Sequence, residues 1–273
     1  MPELPEVETV ATALRQHLPG RQIIGVVARC ERLRRPIPIA ALQNEVNAVI
    51  CGVRRRAKYL LIDLDSGRAL VIHLGMSGTL RLVPKNEAAE RHDHIDIKLD
   101  DGSVLRYRDP RRFGLIIIVT PDADGRISEL GNLAPEPLSK EFSGEYLYNL
   151  SRKRTTPIKT FIMDQRRVVG VGNIYASESL FRARIRPTLN TGTLNRKRCE
   201  LLVNTIKEVL TEAIAIGGTT ISDFYGVDGS EGKFALKLKV YGRSGDSCPE
   251  CGTSIKKITL GGRSTFYCPK CQK

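Results

Sequence analysis

The chain is 273 residues long and carries 43 Lys and Arg against 30 Asp and Glu, a net charge of +13. That length and a hydrophobic content of 41% are enough for two domains with real cores, whereas the longest strongly apolar run, Leu115 to Val119, is far too short to cross a bilayer. A pI near 9.6 points to a polyanionic partner, nucleic acid first of all, and the absence of Trp and of a basic amphipathic helix with aromatic anchors argues against a membrane surface.

In chain order, Val7, Val10, Ala11, Leu14 and Leu18 recur at helical spacing and predict a helix directly after Pro2-Glu3-Leu4-Pro5. If Met1 is removed, Pro2 becomes a secondary amine at a helix N-terminus, where the positive end of the dipole disfavours its protonated form. A neutral amine of this kind can attack an electrophilic carbon, and Glu3 beside it can carry a proton. The plainer alternative is that Pro2 and Pro5 only start the helix. Glu3, Glu6 and Glu8 occupy the place of a leader's basic region, so a cytoplasmic location is expected.

From Gly20 to about Val119 the pattern is β-rich. Residues 23–27, 59–64, 69–74, 95–99 and 104–105 read as strands, with turns at Asp65-Ser66-Gly67 and Asp100-Asp101-Gly102. Short strands with tight turns predict a sandwich or flattened barrel. Arginines cluster at Arg32/Arg34/Arg35, Arg54/Arg55/Arg56, Arg106/Arg108/Arg111/Arg112, Arg166/Arg167 and Arg182/Arg184/Arg186, which suits phosphate contact once the net charge is taken into account. Residues 127–143 read as a linker, and Arg198 to Leu210 as the clearest helix beyond it. Gly217 to Gly232 reads as a long functional loop.

The last segment has the strongest local signal. Cys248-Pro249-Glu250-Cys251 and Cys268-Pro269-Lys270-Cys271 are two C-x2-C knuckles separated by sixteen residues. Four thiolates at that spacing suit one tetrahedral Zn²⁺, and with no open ligand position the zinc is structural. The residues between the knuckles read as a basic hairpin with Arg263 at its apex, while Cys30, Cys51 and Cys199 are ordinary reduced thiols.

Several strings carry a resemblance. Pro2-Glu3-Leu4-Pro5-Glu6-Val7-Glu8-Thr9, Ile72-His73-Leu74-Gly75-Met76-Ser77-Gly78, Arg106-Tyr107-Arg108-Asp109-Pro110-Arg111-Arg112-Phe113-Gly114 and Val169-Gly170-Val171-Gly172-Asn173-Ile174-Tyr175 are, with the cysteine knuckles, closely similar to the bacterial formamidopyrimidine-DNA glycosylases. The resemblance runs almost from end to end. It departs at Leu130 to Leu138, where the family usually joins Leu-Gly more directly to Pro-Glu-Pro-Leu.

The resemblance implies that Pro2 is the nucleophile and Glu3 the acid/base, with Lys58 reaching the active site from a hairpin and Arg263 completing it. Met76, Arg111 and Phe113 would fill the void left by an extruded base, a task suited to apolar and cationic wedges on glycine-flanked loop tips; core packing is the alternative for Met76 and Phe113. Lys159 and Asn173 would hold phosphates flanking the lesion. His73 and His92 are further phosphate candidates, an ordinary buried or surface histidine being an equal alternative.

The expectation is therefore an α+β protein of two domains. Residues 2–131 form a catalytic β-sandwich with an N-terminal helix, 132–144 a linker, 145–236 a helix-two-turn-helix domain with a lesion-capping loop, and 237–273 a four-cysteine zinc ribbon. The expected function is a monomeric glycosylase and abasic-site lyase that acts on oxidised purines in double-stranded DNA in the bacterial cytosol or nucleoid. The rivals are an endonuclease VIII-like enzyme for oxidised pyrimidines, disfavoured by Leu4 where that branch has Gly, and a non-catalytic zinc-ribbon DNA-binding protein.

Overall fold

The computed structural model describes residues 2–217 and 238–273. The chain divides into two compact units, one ending at Gly131 and the other comprising 132–216 and the residues from 238 onward.

The first unit opens with α1 (Leu4–His17), whose buried Leu4, Val7, Val10, Ala11 and Leu14 form the apolar stripe seen in the sequence. Two four-stranded antiparallel sheets follow. One is ordered β1-β6-β7-β5 and the other β2-β3-β4-β8. Their strands are β1 (Ile23–Ala28), β2 (Ile50–Arg56), β3 (Tyr59–Leu64), β4 (Ala69–His73), β5 (Thr79–Pro84), β6 (Asp93–Leu99), β7 (Ser103–Arg108) and β8 (Leu115–Val119), with a short α2 (Ile39–Gln43) after β1. A continuous core runs from Val7 and Leu14 of α1 through Leu60, Ile62, Ile72, Ile97, Leu105 and Ile116 of both sheets. Each such side chain, fully buried, contributes roughly 1.5–3 kcal/mol relative to exposure.

The connectivity explains where the motif loops lie. β4 and β8 are neighbours in one sheet, with His73 opposite Leu115. β5 and β7 are neighbours in the other, with Thr79 opposite Arg108. The β4–β5 loop (residues 74–78) and the β7–β8 loop (109–114) therefore cross between the sheets side by side. The β2–β3 turn at Ala57-Lys58 reaches the same end, because Tyr59 pairs with His73.

The second unit contains α3 (Gly144–Ser151), α4 (Ile158–Ile162), α5 (Asn173–Arg182) and the long α6 (Arg196–Ala215). Ser143 caps α3 by accepting from Tyr146 N at 3.1 Å, and Asn195 caps α6 by accepting from Arg198 N at 2.8 Å. α6 buries Cys199, Leu202, Val203, Ile206, Val209, Leu210 and Ala213 on one face, packed against α3 and α5. The chain ends in an antiparallel hairpin of β9 (Lys256–Leu260) and β10 (Arg263–Tyr267), closed by Gly261 and Gly262 at φ +56° and +71°. Positive φ at both turn residues is the geometry that matches strand twist in a two-residue hairpin. Among the described residues no helix is long and apolar enough to cross a membrane.

The expected sandwich is present, residues 59–64 are a strand as read, and the strand read at 69–74 ends one residue earlier, at His73. β2 and β5 went unread. The predicted helix at Arg198–Leu210 extends by two residues at its start and five at its end. The Gly217–Gly232 loop lies, apart from Gly217, outside the described residues.

Candidate active site and nucleic-acid interface

Pro2 is buried immediately before α1. Glu3 is the N-cap with an extended backbone and forms a capping box with Glu6, whose Oε2 accepts from Glu3 N at 2.8 Å. Both carboxylates are 2% exposed. The nitrogen of Pro2 thus sits at the positive end of a fourteen-residue helix, with two buried carboxylates within its first turn. Glu6 is a residue that motif reading left without a role, although its N-cap-plus-three spacing is a capping signal.

Lys58 is buried, and Ala57 before it holds a left-handed conformation (φ +54°) that turns the chain from β2 into β3. His73 ends β4, and its ring lies 4.8 Å from that of Tyr59. Burial, assisted by the positive charges of Arg34 and Lys58, pushes the His73 imidazole down to about 3. Its Nδ1 accepts from Gly75 N at 2.9 Å, which leaves the proton on Nε2. His73 can therefore offer phosphate one neutral N–H and no cation. His92 is half-buried in a left-handed conformation (φ +84°) at the start of β6.

The two crossover loops carry the wedge candidates. Met76 is half-buried, Arg111 is exposed, and Phe113 is 48% exposed, so core packing does not account for it. The Arg111 guanidinium lies 5.1 Å from the centroid of the Phe113 ring. Beneath them Asp109 is fully buried and accepts from Ser77 Oγ at 2.7 Å and Gly114 N at 2.8 Å. Burial, and then the neighbouring Asp109, raise the Tyr107 phenol well above its ordinary range, so it remains a donor. Asp109 and Ser77 were quoted within motifs, yet nothing in the linear string paired them.

In the second unit, Lys159 of α4 and Asn173 at the start of α5 come together. The buried Lys159 Nζ donates to Asn173 Oδ1, to Thr265 Oγ1 at 2.8 Å and to Ser264 O at 3.2 Å. Asn173 Nδ2 donates to the same Ser264 carbonyl at 2.9 Å. The ribbon hairpin thus fixes both candidate phosphate contacts. Arg263 is exposed as the first residue of β10, one step beyond the Gly261-Gly262 tip rather than at the apex itself. Glu178 of α5, unread in the sequence, joins helix to ribbon by accepting from the backbone N–H groups of Lys239, Val240 and Tyr241 at 2.8–3.0 Å.

The four knuckle cysteines converge, with their Sγ atoms all within 4.8 Å of one another. Cys248 and Cys271 are 3.9 Å apart and Cys251 and Cys268 3.5 Å. Tetrahedral Zn–S bonds of about 2.3 Å require sulfur separations near ~3.8 Å, so the donor set fits one zinc ion. Cys30, Cys51 and Cys199 stand apart from this cluster as free thiols.

The comparisons with known proteins cover the same parts. Residues 1–116 match the formamidopyrimidine-DNA glycosylase N-terminal domain, 133–225 the formamidopyrimidine-DNA glycosylase H2TH domain, and 245–273 the zinc finger found in FPG and IleRS. A formamidopyrimidine-DNA glycosylase of Thioalkalivibrio sulfidiphilus is 50% identical over 273 residues, all of both chains, and one of Vibrio vulnificus is 48% identical over 272, again covering both completely. Two Lactococcus lactis structures share 35% identity. A mutant bound to Fapy-dG-containing DNA superposes at a TM-score of 0.93 over 100% of both chains, and a complex with abasic-site DNA at 0.91 over 99% of each. With three family regions in order and half its residues shared over its full length, this chain belongs to the formamidopyrimidine-DNA glycosylase family.

Proposed function

We propose that this chain is a bifunctional glycosylase and abasic-site lyase that removes oxidised purines, 8-oxoguanine opposite cytosine and formamidopyrimidines, from duplex DNA during base excision repair. The observation that carries this reading is Pro2, buried at the positive end of α1 beside the N-cap carboxylate of Glu3.

With Met1 removed, the Pro2 nitrogen attacks C1′ of the damaged nucleotide. Glu3 gives its proton to the ring oxygen as the C1′–O4′ bond breaks, and the proton released from the Pro2 nitrogen leaves with the base as the C1′–base bond breaks, so that C1′ is left double-bonded to that nitrogen. The resulting iminium acidifies the neighbouring C–H. Loss of that proton expels the 3′ phosphate, and a second elimination expels the 5′ phosphate. Water then hydrolyses the iminium and returns Pro2. Lys58 supplies positive charge for the sugar-phosphate. Met76, Arg111 and Phe113 replace the extruded base in the stack. Lys159 and Asn173 hold phosphates, Arg263 is a further catalytic residue, and the neutral His73 and the half-buried His92 are auxiliary phosphate contacts. Bound zinc keeps the β9–β10 hairpin folded. The enzyme acts as a monomer in the cytosol, at the nucleoid.

Borohydride trapping on a duplex with one 8-oxoguanine opposite cytosine tests this. The expected adduct maps to Pro2, and Pro2→Gly should lose excision by about a hundredfold or more while binding of an abasic-analogue duplex changes little. No adduct from zinc-loaded protein that begins at Pro2, or equal loss of excision and binding, would overturn it.

A further inference from the structure

Asp109 is entirely buried at the root of the β7–β8 loop, and four donors converge on its carboxylate. Oδ1 accepts from Ser77 Oγ at 2.7 Å and Arg111 N at 3.3 Å. Oδ2 accepts from Gly114 N at 2.8 Å and Tyr107 Oη at 3.3 Å. Ser77 Oγ also accepts from Arg111 N at 3.2 Å. The backbone of Asp109 is engaged as well, its N donating to His92 O at 3.1 Å and its O bonded to His94 Nε2 at 2.9 Å.

Ser77 belongs to the other crossover loop and directly follows Met76, so the Asp109–Ser77 bond links the two loops that bear the three wedge side chains. Their backbones touch: a Cβ on Gly75 would stand 2.5 Å from Gly114 N and from Phe113 C. We propose that Asp109 is a positioning residue that locks the β4–β5 and β7–β8 loops into one rigid piece, so that Met76, Arg111 and Phe113 enter the base stack together. This rests on the glycosylase reading above. A carboxylate only accepts, and here every partner donates. An amide of the same shape must turn its NH2 toward one of the two donor pairs and leave those donors opposed. Wedge loops released from each other must be ordered during insertion, which weakens extrusion and leaves the chemistry at Pro2 intact.

Asp109→Asn tests the assignment, with excision of 8-oxoguanine measured opposite cytosine and opposite an abasic-analogue gap, where the lesion is already poorly held. Excision opposite cytosine should fall about tenfold or more, and the gapped partner should restore most of it. Fluorescence of 2-aminopurine beside the lesion, which rises on unstacking, should be reduced in the variant complex. Ser77→Ala removes the two inter-loop bonds of its hydroxyl, to Asp109 and from Arg111 N, and leaves the carboxylate in place, so it should show the same pattern to a smaller extent; it decides the matter if Asp109→Asn does not fold. An equal loss on both duplexes with the aminopurine signal unchanged, or wild-type rates in both variants, would overturn the proposal. Failure of the unaltered protein to excise 8-oxoguanine would count instead against the glycosylase reading, and the aminopurine signal would still judge the wedge.

Discussion

His73 shows what a single residue's surroundings do to a motif. Its unfolded imidazole titrates near ~6.5, while burial holds the folded one at about 3. Between those values the unfolded chain binds a proton that the folded chain refuses. The stabilisation is complete above about pH 6.5 and drains away as pH falls toward 3, by at most about 1.4 kcal/mol per pH unit. His73→Gln removes the titrating ring, so urea unfolding should show a shallower acid decline for the variant than for the unaltered protein. Parallel curves from pH 7 to pH 4 would refute a buried neutral His73. The sequence made His73 a candidate but could not give its charge state, because Arg34, Lys58 and Tyr59 reach it from other strands and loops. The helix that follows Pro2 and the cysteine knuckles were readable because their signals are written within a few residues. Asp109 and Glu178 were not, since the groups that give them roles lie 32 and 61–63 positions away.

Legibility among the elements follows the same division. Strands that are themselves apolar along most of their length, such as β3 and β8, announce themselves as hydrophobic runs. β2 ends in Arg54-Arg55-Arg56 and hides as a charge cluster, because its polarity is answered by distant partners: Arg54 by Asp63 at 2.8 Å and Arg55 by Glu8 of α1. That cluster, read from the sequence as a phosphate-contact surface, is thus in part internal pairing. The loops are governed by close approach. Gly75 has φ +65° and no room for a Cβ against the backbone of Phe113 and Gly114, whereas Gly52 in β2 has nothing within 4 Å of that position. Gly75→Ala should cost about 2–4 kcal/mol through strain and overlap, and Gly52→Ala should stay within about 0.5 kcal/mol. Chemical unfolding of the two variants side by side measures the difference, and comparable losses would mean that the two crossover loops are not packed backbone to backbone.

For the molecule as a whole, a charge of +13 makes DNA affinity a matter of counterion release, and log affinity should fall linearly with log salt in proportion to the phosphates contacted. Zinc decides part of that number. The ribbon's interior is small, comprising Phe181, Val240, Ile255 and Phe266 around Cys248 and Cys268, and an isolated two-stranded hairpin is marginal in water. Without metal, β10 has little to hold it, and with it go the Ser264 carbonyl and Thr265 hydroxyl that orient Lys159 and Asn173. Stripping zinc with a chelator should release one equivalent per chain and weaken binding to an abasic-analogue duplex by about tenfold or more at moderate salt. The salt slope should become shallower by about 1–2, because Lys159 and Arg263 no longer meet phosphate in fixed positions. Anisotropy titrations at several salt concentrations separate the outcomes. A lower affinity with an unchanged slope would place the loss in non-ionic contacts, and an unchanged affinity would show that the ribbon's order does not depend on its metal.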